Sequence, residues 1–147
     1  MDKYYFCSME NRASEILKSH KLRNTPFRLK VLELFLTSGH QALSNASLET
    51  ALEEFDRITL YRTLKSFEKA GIIHQAIDGS SETKYAICHD DCTEHSHRDN
   101  HAHFLCNQCG NTYCIENVVD TNYRLPKQFQ LQKVHIALEG MCASCQN

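Results

Sequence analysis

Two short cysteine pairs constrain this chain more than any other feature. Cys106-Asn107-Gln108-Cys109 and Cys142-Ala143-Ser144-Cys145 are C-x-x-C knuckles separated by 32 residues. Each knuckle can present two thiolates to one ion, and two knuckles complete the closed four-cysteine tetrahedron of a structural zinc site. Gly110 suits the tight turn behind the first knuckle. No βαβ pattern surrounds either pair, which argues against thioredoxin-like redox chemistry. The segment carrying the knuckles is short and lacks tryptophan, so bound metal is expected to supply much of its folding energy.

The remaining soft ligands crowd the same region. Of 17 cysteines and histidines, 13 fall within residues 88–147. A disulfide framework would require secretion, yet the N-terminus, Met1 to Cys7, shows no apolar core and no cleavage signature. A reducing, cytoplasmic setting is therefore expected, in which paired cysteines bind metal. No apolar run approaches the ~18–20 residues of a membrane span. The net charge of −2 gives no global sign of a nucleic-acid binder, but residues 1–87 carry +1 and residues 88–147 carry −3. With 147 residues the chain fits one domain or two small ones, and the ligand distribution places the boundary at residue 87.

The first part patterns as helices followed by a hairpin. Ala13, Ile16, Leu17 and His20 form an apolar stripe over residues 10–22. Thr25-Pro26 starts a second helix, with Phe27, Val31, Leu32 and Phe35 on one face and Gly39 as its stop. Ser47 can cap a third, short helix, and Asp56 a fourth whose Leu60, Leu64 and Phe67 face inward. Two short helices across a tight turn form a helix-turn-helix, whose second helix can enter the DNA major groove. The outer positions of that fourth helix hold Arg57, Thr59, Tyr61, Arg62, Thr63 and Ser66, the donors that phosphates and base edges require. A solvated helix face would show the same residues.

Residues 72–77 and 83–88 form two strands around a turn at Asp78-Gly79-Ser80-Ser81-Glu82. A hairpin behind a helix-turn-helix is the wing of a winged helix. Centring the turn near Ser81 sets position 74 opposite position 88, so His74 and Cys88 share a face and can hold a borderline-soft metal. Residues 88–103 then supply Cys92, His95, His97, His101 and His103. This tract can be a nonspecific chelating segment or part of a second, openable site. Cys114 and Glu116 can complete that site or simply pack, and zinc, iron, nickel and copper all suit such donors. Pro126 stops any helix begun near Glu116, and residues 128–139 are expected to form one or two strands with a bend near Lys133. Cys7 lies in an N-terminus expected to be disordered. Neither H-E-x-x-H nor H-x-E paired with P-C-x-x-C occurs, so no hydrolase or deaminase is expected.

Three motifs bring a family into view. Leu22-Arg23-Asn24-Thr25-Pro26-Phe27-Arg28, Asp56-Arg57-Ile58-Thr59-Leu60-Tyr61-Arg62-Thr63-Leu64 and His101-Ala102-His103-Phe104-Leu105-Cys106-Asn107-Gln108-Cys109-Gly110 resemble signatures of the ferric uptake regulator family, in order, from about residue 10 to Cys145. The resemblance implies an α+β fold: a winged-helix DNA-binding domain over residues 1–87 and an α/β metal-binding, dimerisation domain over 88–147. It implies a homodimeric repressor, bound to palindromic double-stranded operator DNA when metal-loaded, with Arg23 and Arg28 added to the DNA-facing residues. Gly71-Ile72-Ile73-His74 with Tyr85-Ala86-Ile87-Cys88-His89 is similar to the zinc uptake regulator branch, where a hairpin histidine and the cysteine after the second wing strand hold the regulatory Zn2+. Iron-sensing relatives usually set a carboxylate near that strand, where this chain has Ala86 and Ile87. Fe2+ repression and peroxide sensing are the alternatives within the family, and a zinc-stabilised buffering or interaction module is the alternative outside it. The resemblance also offers His40 as a hinge ligand, while His135 stands one position from where a late-strand histidine is expected.

Overall fold

The computed structural model describes residues 3–88, 101–116 and 122–146. Helix α1, Lys3–Ser19, buries Ala13 and Leu17. It begins seven residues before the expected start, so Cys7 is helical rather than disordered. It also ends early. Lys21 takes a positive φ of 58°, its N–H bonds the Lys18 carbonyl, and the Leu22 N–H reaches back 2.8 Å to the Leu17 carbonyl. That pairing satisfies the last helical carbonyls and turns the chain.

Helix α2, Pro26–Ser38, starts as its sequence dictates: Thr25 Oγ1 accepts the Arg28 N–H and Pro26 occupies the first position. Strand β1, Leu43–Ser44, runs straight into helix α3, Asn45–Ala51. The cap of α3 is Ser44, not Ser47, because the Ser44 hydroxyl accepts the Ser47 N–H at 3.1 Å. Helix α4, Arg57–Ala70, is capped by Asp56, which accepts both the N–H and the hydroxyl of Thr59 at 2.7 Å, and ends on the left-handed Gly71.

Strands β2, Ile73–Ala76, and β3, Lys84–Ile87, form an antiparallel hairpin, and β1 adds to β3 to give the order β1-β3-β2. His74 pairs with Ala86, not with position 88. The register is two residues from the expected one because Asp78 draws in the turn, accepting the N–H and hydroxyl of Ser80. A shift of two preserves every face. Leu17, Val31, Leu32, Phe35, Leu48, Leu60, Leu64, Phe67 and Ile73 form one core beneath this sheet.

The second sheet holds β4, His101–Cys106, β5, Thr112–Glu116, and β6, Ala137–Gly140, in the order β5-β4-β6, with β6 parallel to β4. The expected strand over 128–139 reduces to β6. Residues 122–136 form no regular element, and Phe129 and Leu131 are exposed, since their apolar positions never hold one face against a partner strand. Residues 122–126 are not helical, and residues 117–121, where a helix near Glu116 would begin, lie outside the described residues. No described helix is long and apolar enough to cross a membrane.

The two sheets are joined through the outer edge of β5. Gln41 bridges Tyr113, the Ala42 N–H bonds the Thr112 carbonyl and the Cys114 N–H bonds the His40 carbonyl, both at 2.8 Å. Ala42, Ala76, Ala86 and Cys114 pack together at this joint. Their small side chains let the hairpin lie close to the second sheet.

Candidate metal centre and nucleic-acid interface

Strand alternation assembles one candidate centre at this joint. His74 projects from β2, His101 and His103 from one face of β4, and Cys114 from β5 directly opposite His103. The three Nε2 atoms lie 3.1, 3.1 and 3.2 Å apart, and the Cys114 sulfur is 3.5 Å from His74 Nε2. Three neutral imidazoles cannot all bond one another through these nitrogens, because each Nε2 either donates or accepts. A tetrahedral ion at usual zinc distances would set its nitrogen ligands about 3.3 Å apart and nitrogen from sulfur about 3.6 Å. The donors therefore fit such an ion with shifts of a few tenths of an ångström.

The local environment prepares these groups. Burial, reinforced by His101, lowers the His103 imidazole to about 4, so it is neutral at physiological pH and can ligate without losing a proton. Burial and the Glu116 carboxylate push the Cys114 thiol up to about 12. Metal binding there would release a proton.

Cys88 takes a different position from these four donors. Its sulfur is 3.4 Å from His74 Nδ1, the nitrogen on the other side of the ring from the cluster. Glu116, paired with His101 at the end of β5, is exposed and outside the donor group. The side chains of His40 and His135 also lie outside it. Cys92, His95 and His97 lie outside the described residues.

Cys106, Cys109, Cys142 and Cys145 form the second candidate centre, their sulfurs all within 4.8 Å of one another. Cys109 and Cys142 sulfurs are 3.9 Å apart, close to the roughly 3.8 Å edge of a zinc–thiolate tetrahedron. The N–H groups of Cys142 and Cys109 hold the Cys106 thiol down at about 6, favouring thiolate, while the surrounding sulfurs push Cys145 up to about 12.

A buried ionic cluster, absent from any motif, sits between the two centres. Lys84 Nζ donates to Asp78 Oδ2 at 3.0 Å, to Thr112 Oγ1 at 2.9 Å and to the Gly110 carbonyl at 3.0 Å. The Thr112 hydroxyl donates to Asp78 at 2.6 Å. The alternation that puts Lys84 on the His74 face is visible in the sequence, but its partners come from a distant turn and strand.

On the outer side of α4, Arg57, Thr59, Tyr61 and Arg62 are exposed. Thr63 is not: it is 5% exposed and belongs to the inward face with Leu60, Leu64 and Phe67, which corrects its placement among DNA-facing residues. Arg57 also reaches Glu49 of α3 at 3.3 Å. Arg28 is half-buried, donating to the Arg23 carbonyl and the Ser66 hydroxyl, while Arg23 is exposed.

The ferric uptake regulator family model matches residues 19–140. The ferric uptake regulation protein of Bordetella parapertussis is 29% identical over 138 residues, covering 88% of this chain and 94% of its own. That of Cupriavidus metallidurans is 32% identical, covering 86% and 88%. A solved structure of a zinc uptake regulator complexed with zinc and DNA shares the fold at a TM-score of 0.60, with 24% identity over 95% of this chain and 93% of that one.

Proposed function

The chain belongs to the ferric uptake regulator family of metal-dependent transcriptional regulators, and from that premise we propose that it is a zinc-responsive repressor acting as a homodimer on operator DNA. The observation that carries the choice of zinc is the His74–His101–His103–Cys114 cluster, three imidazole nitrogens and one sulfur without a carboxylate. Nitrogen and thiolate ligands suit zinc, whereas oxygen-rich sites suit harder ions.

In this reading Cys106, Cys109, Cys142 and Cys145 hold a permanent structural zinc. The regulatory donors come from both sides of the joint: His74 belongs to the wing, and His101, His103 and Cys114 to the second sheet. Zinc would supply a four-point tie across that joint. Cys88, on His74 Nδ1, orients the ring, and such supporting partners tune affinity. The domain division falls between the wing and the second sheet, with residues 1–87 reading DNA and 88–147 binding metal and dimerising. Exposed Tyr123, Leu125, Phe129, Leu131 and Met141, all in the second part, support its role in pairing two copies. A two-fold dimer must place its reading helices on half-sites ~10 base pairs apart or a multiple of that. Fixing the wing against the dimerising sheet fixes that spacing, and operator DNA must raise zinc affinity by the same factor.

The test is binding to the protein's own promoter, titrated anaerobically with buffered zinc, iron(II), manganese and nickel. Tightening at the lowest free zinc supports the proposal, and tightening by iron(II) alone overturns it.

A further inference from the structure

Between Met9 and Cys88, the large apolar side chains that are more than half exposed are Ile58 and Tyr61, both at 61%. They stand three residues apart near the start of α4, on the face opposite Leu60, Leu64 and Phe67. Tyr61 has a polar handle and a cationic neighbour, with Lys65 Nζ 5.9 Å from its ring centre. Ile58 has neither. It sits at the second helical position after the Asp56 cap, between exposed Arg57 and Thr59 and one turn before Arg62. Every neighbour is suited to phosphates or polar base edges, so the one purely apolar group stands where a reading helix meets bases.

Apolar contact in the major groove has one principal target. Thymine alone among the four bases carries a C5 methyl there. Isoleucine suits it because branching at Cβ restricts its rotamers, so little freedom is lost on contact. We propose that Ile58 is a specificity-determining residue that packs against a thymine methyl in each operator half-site. The inference rests on α4 being the DNA-reading helix, and it assigns to Ile58 a base preference that its polar neighbours do not provide.

The test uses duplexes selected from a random pool by zinc-loaded protein. Each thymine of the selected operator is then replaced in turn, in both half-sites, by deoxyuridine, which removes only the methyl. At one position wild-type affinity falls roughly fifteenfold, since burying one methyl is worth about fourfold and two are lost. Ile58→Ala binds the thymine operator more weakly and shows less than about a twofold change on the same replacement, while Lys69→Ala keeps the full wild-type response. Wild-type affinity unaffected by uracil at every position, or an equal loss in Ile58→Ala, overturns the proposal. Failure to select any sequence contradicts the DNA-reading role itself, and shows before uracil is introduced.

Discussion

Lys84 of the wing holds its ammonium 3.0 Å from the carbonyl oxygen of Gly110, the residue that follows Cys109 in the first knuckle. The wing is thereby attached to the four-cysteine centre at one end of the hairpin face, while His74 faces His101, His103 and Cys114 at the other. The alanines between leave the two attachments in close register.

Breaking the ionic attachment should be costly. Lys84 and Asp78 are both almost wholly buried, and removing one partner strands the other charge away from water. Asp78→Ala is expected to destabilise the chain by about 3–5 kcal/mol in urea unfolding, and replacing both partners by apolar residues by much less. Equal losses in the single and double variants would refute a paired buried charge.

Acid should weaken the same attachment. Burial alone would raise the Asp78 carboxyl, but hydrogen bonds from Ser80, Thr112 and Lys84 outweigh it and hold the group well below the usual carboxylate range. A carboxyl lower in the folded than in the unfolded chain contributes stability above its unfolded value, about 4, and loses that contribution as pH falls through the folded value. The stability gap between wild type and Asp78→Asn should therefore be largest near neutrality and narrow below about pH 4. A gap that stays constant with pH would contradict the assignment.

The two centres should separate by mutation. Cys114→Ala is expected to lose one zinc per chain by metal analysis and to keep the second, whereas Cys88→Ala keeps both ions with regulatory affinity weakened about 10- to 100-fold. Loss of an ion in Cys88→Ala, with none lost in Cys114→Ala, would exchange their roles.

Neighbouring positions of α4 should differ sharply. Arg62→Ala is expected to weaken operator binding about tenfold or more at unchanged metal content. Thr63→Val, buried and facing the core, should leave binding within about twofold. A strong effect at Thr63 would reverse the orientation of the helix.

Local chemistry made much of this legible. Thr25 and Asp56 act on residues a turn away, so their caps could be recognised without tertiary information, and the knuckle spacing carries its own geometry. His74, His101 and His103 could be gathered because strand alternation assigns faces even when the register slips by two residues. Cys114 stayed ambiguous because its role depends on which strand lies opposite β5. The Asp78–Lys84–Thr112 cluster was invisible because its members are ordinary turn and strand residues until the second sheet buries them. Thr63 misled because a polar residue beside Arg62 looks external, while one helical step carries it inward.

The most direct test of the central claim measures operator affinity against free zinc for wild type and His103→Ala, with retention of the structural zinc checked in both. Wild-type affinity is expected to rise steeply as the regulatory site fills, while His103→Ala keeps its structural zinc and shows no rise. A full zinc response in His103→Ala would contradict it.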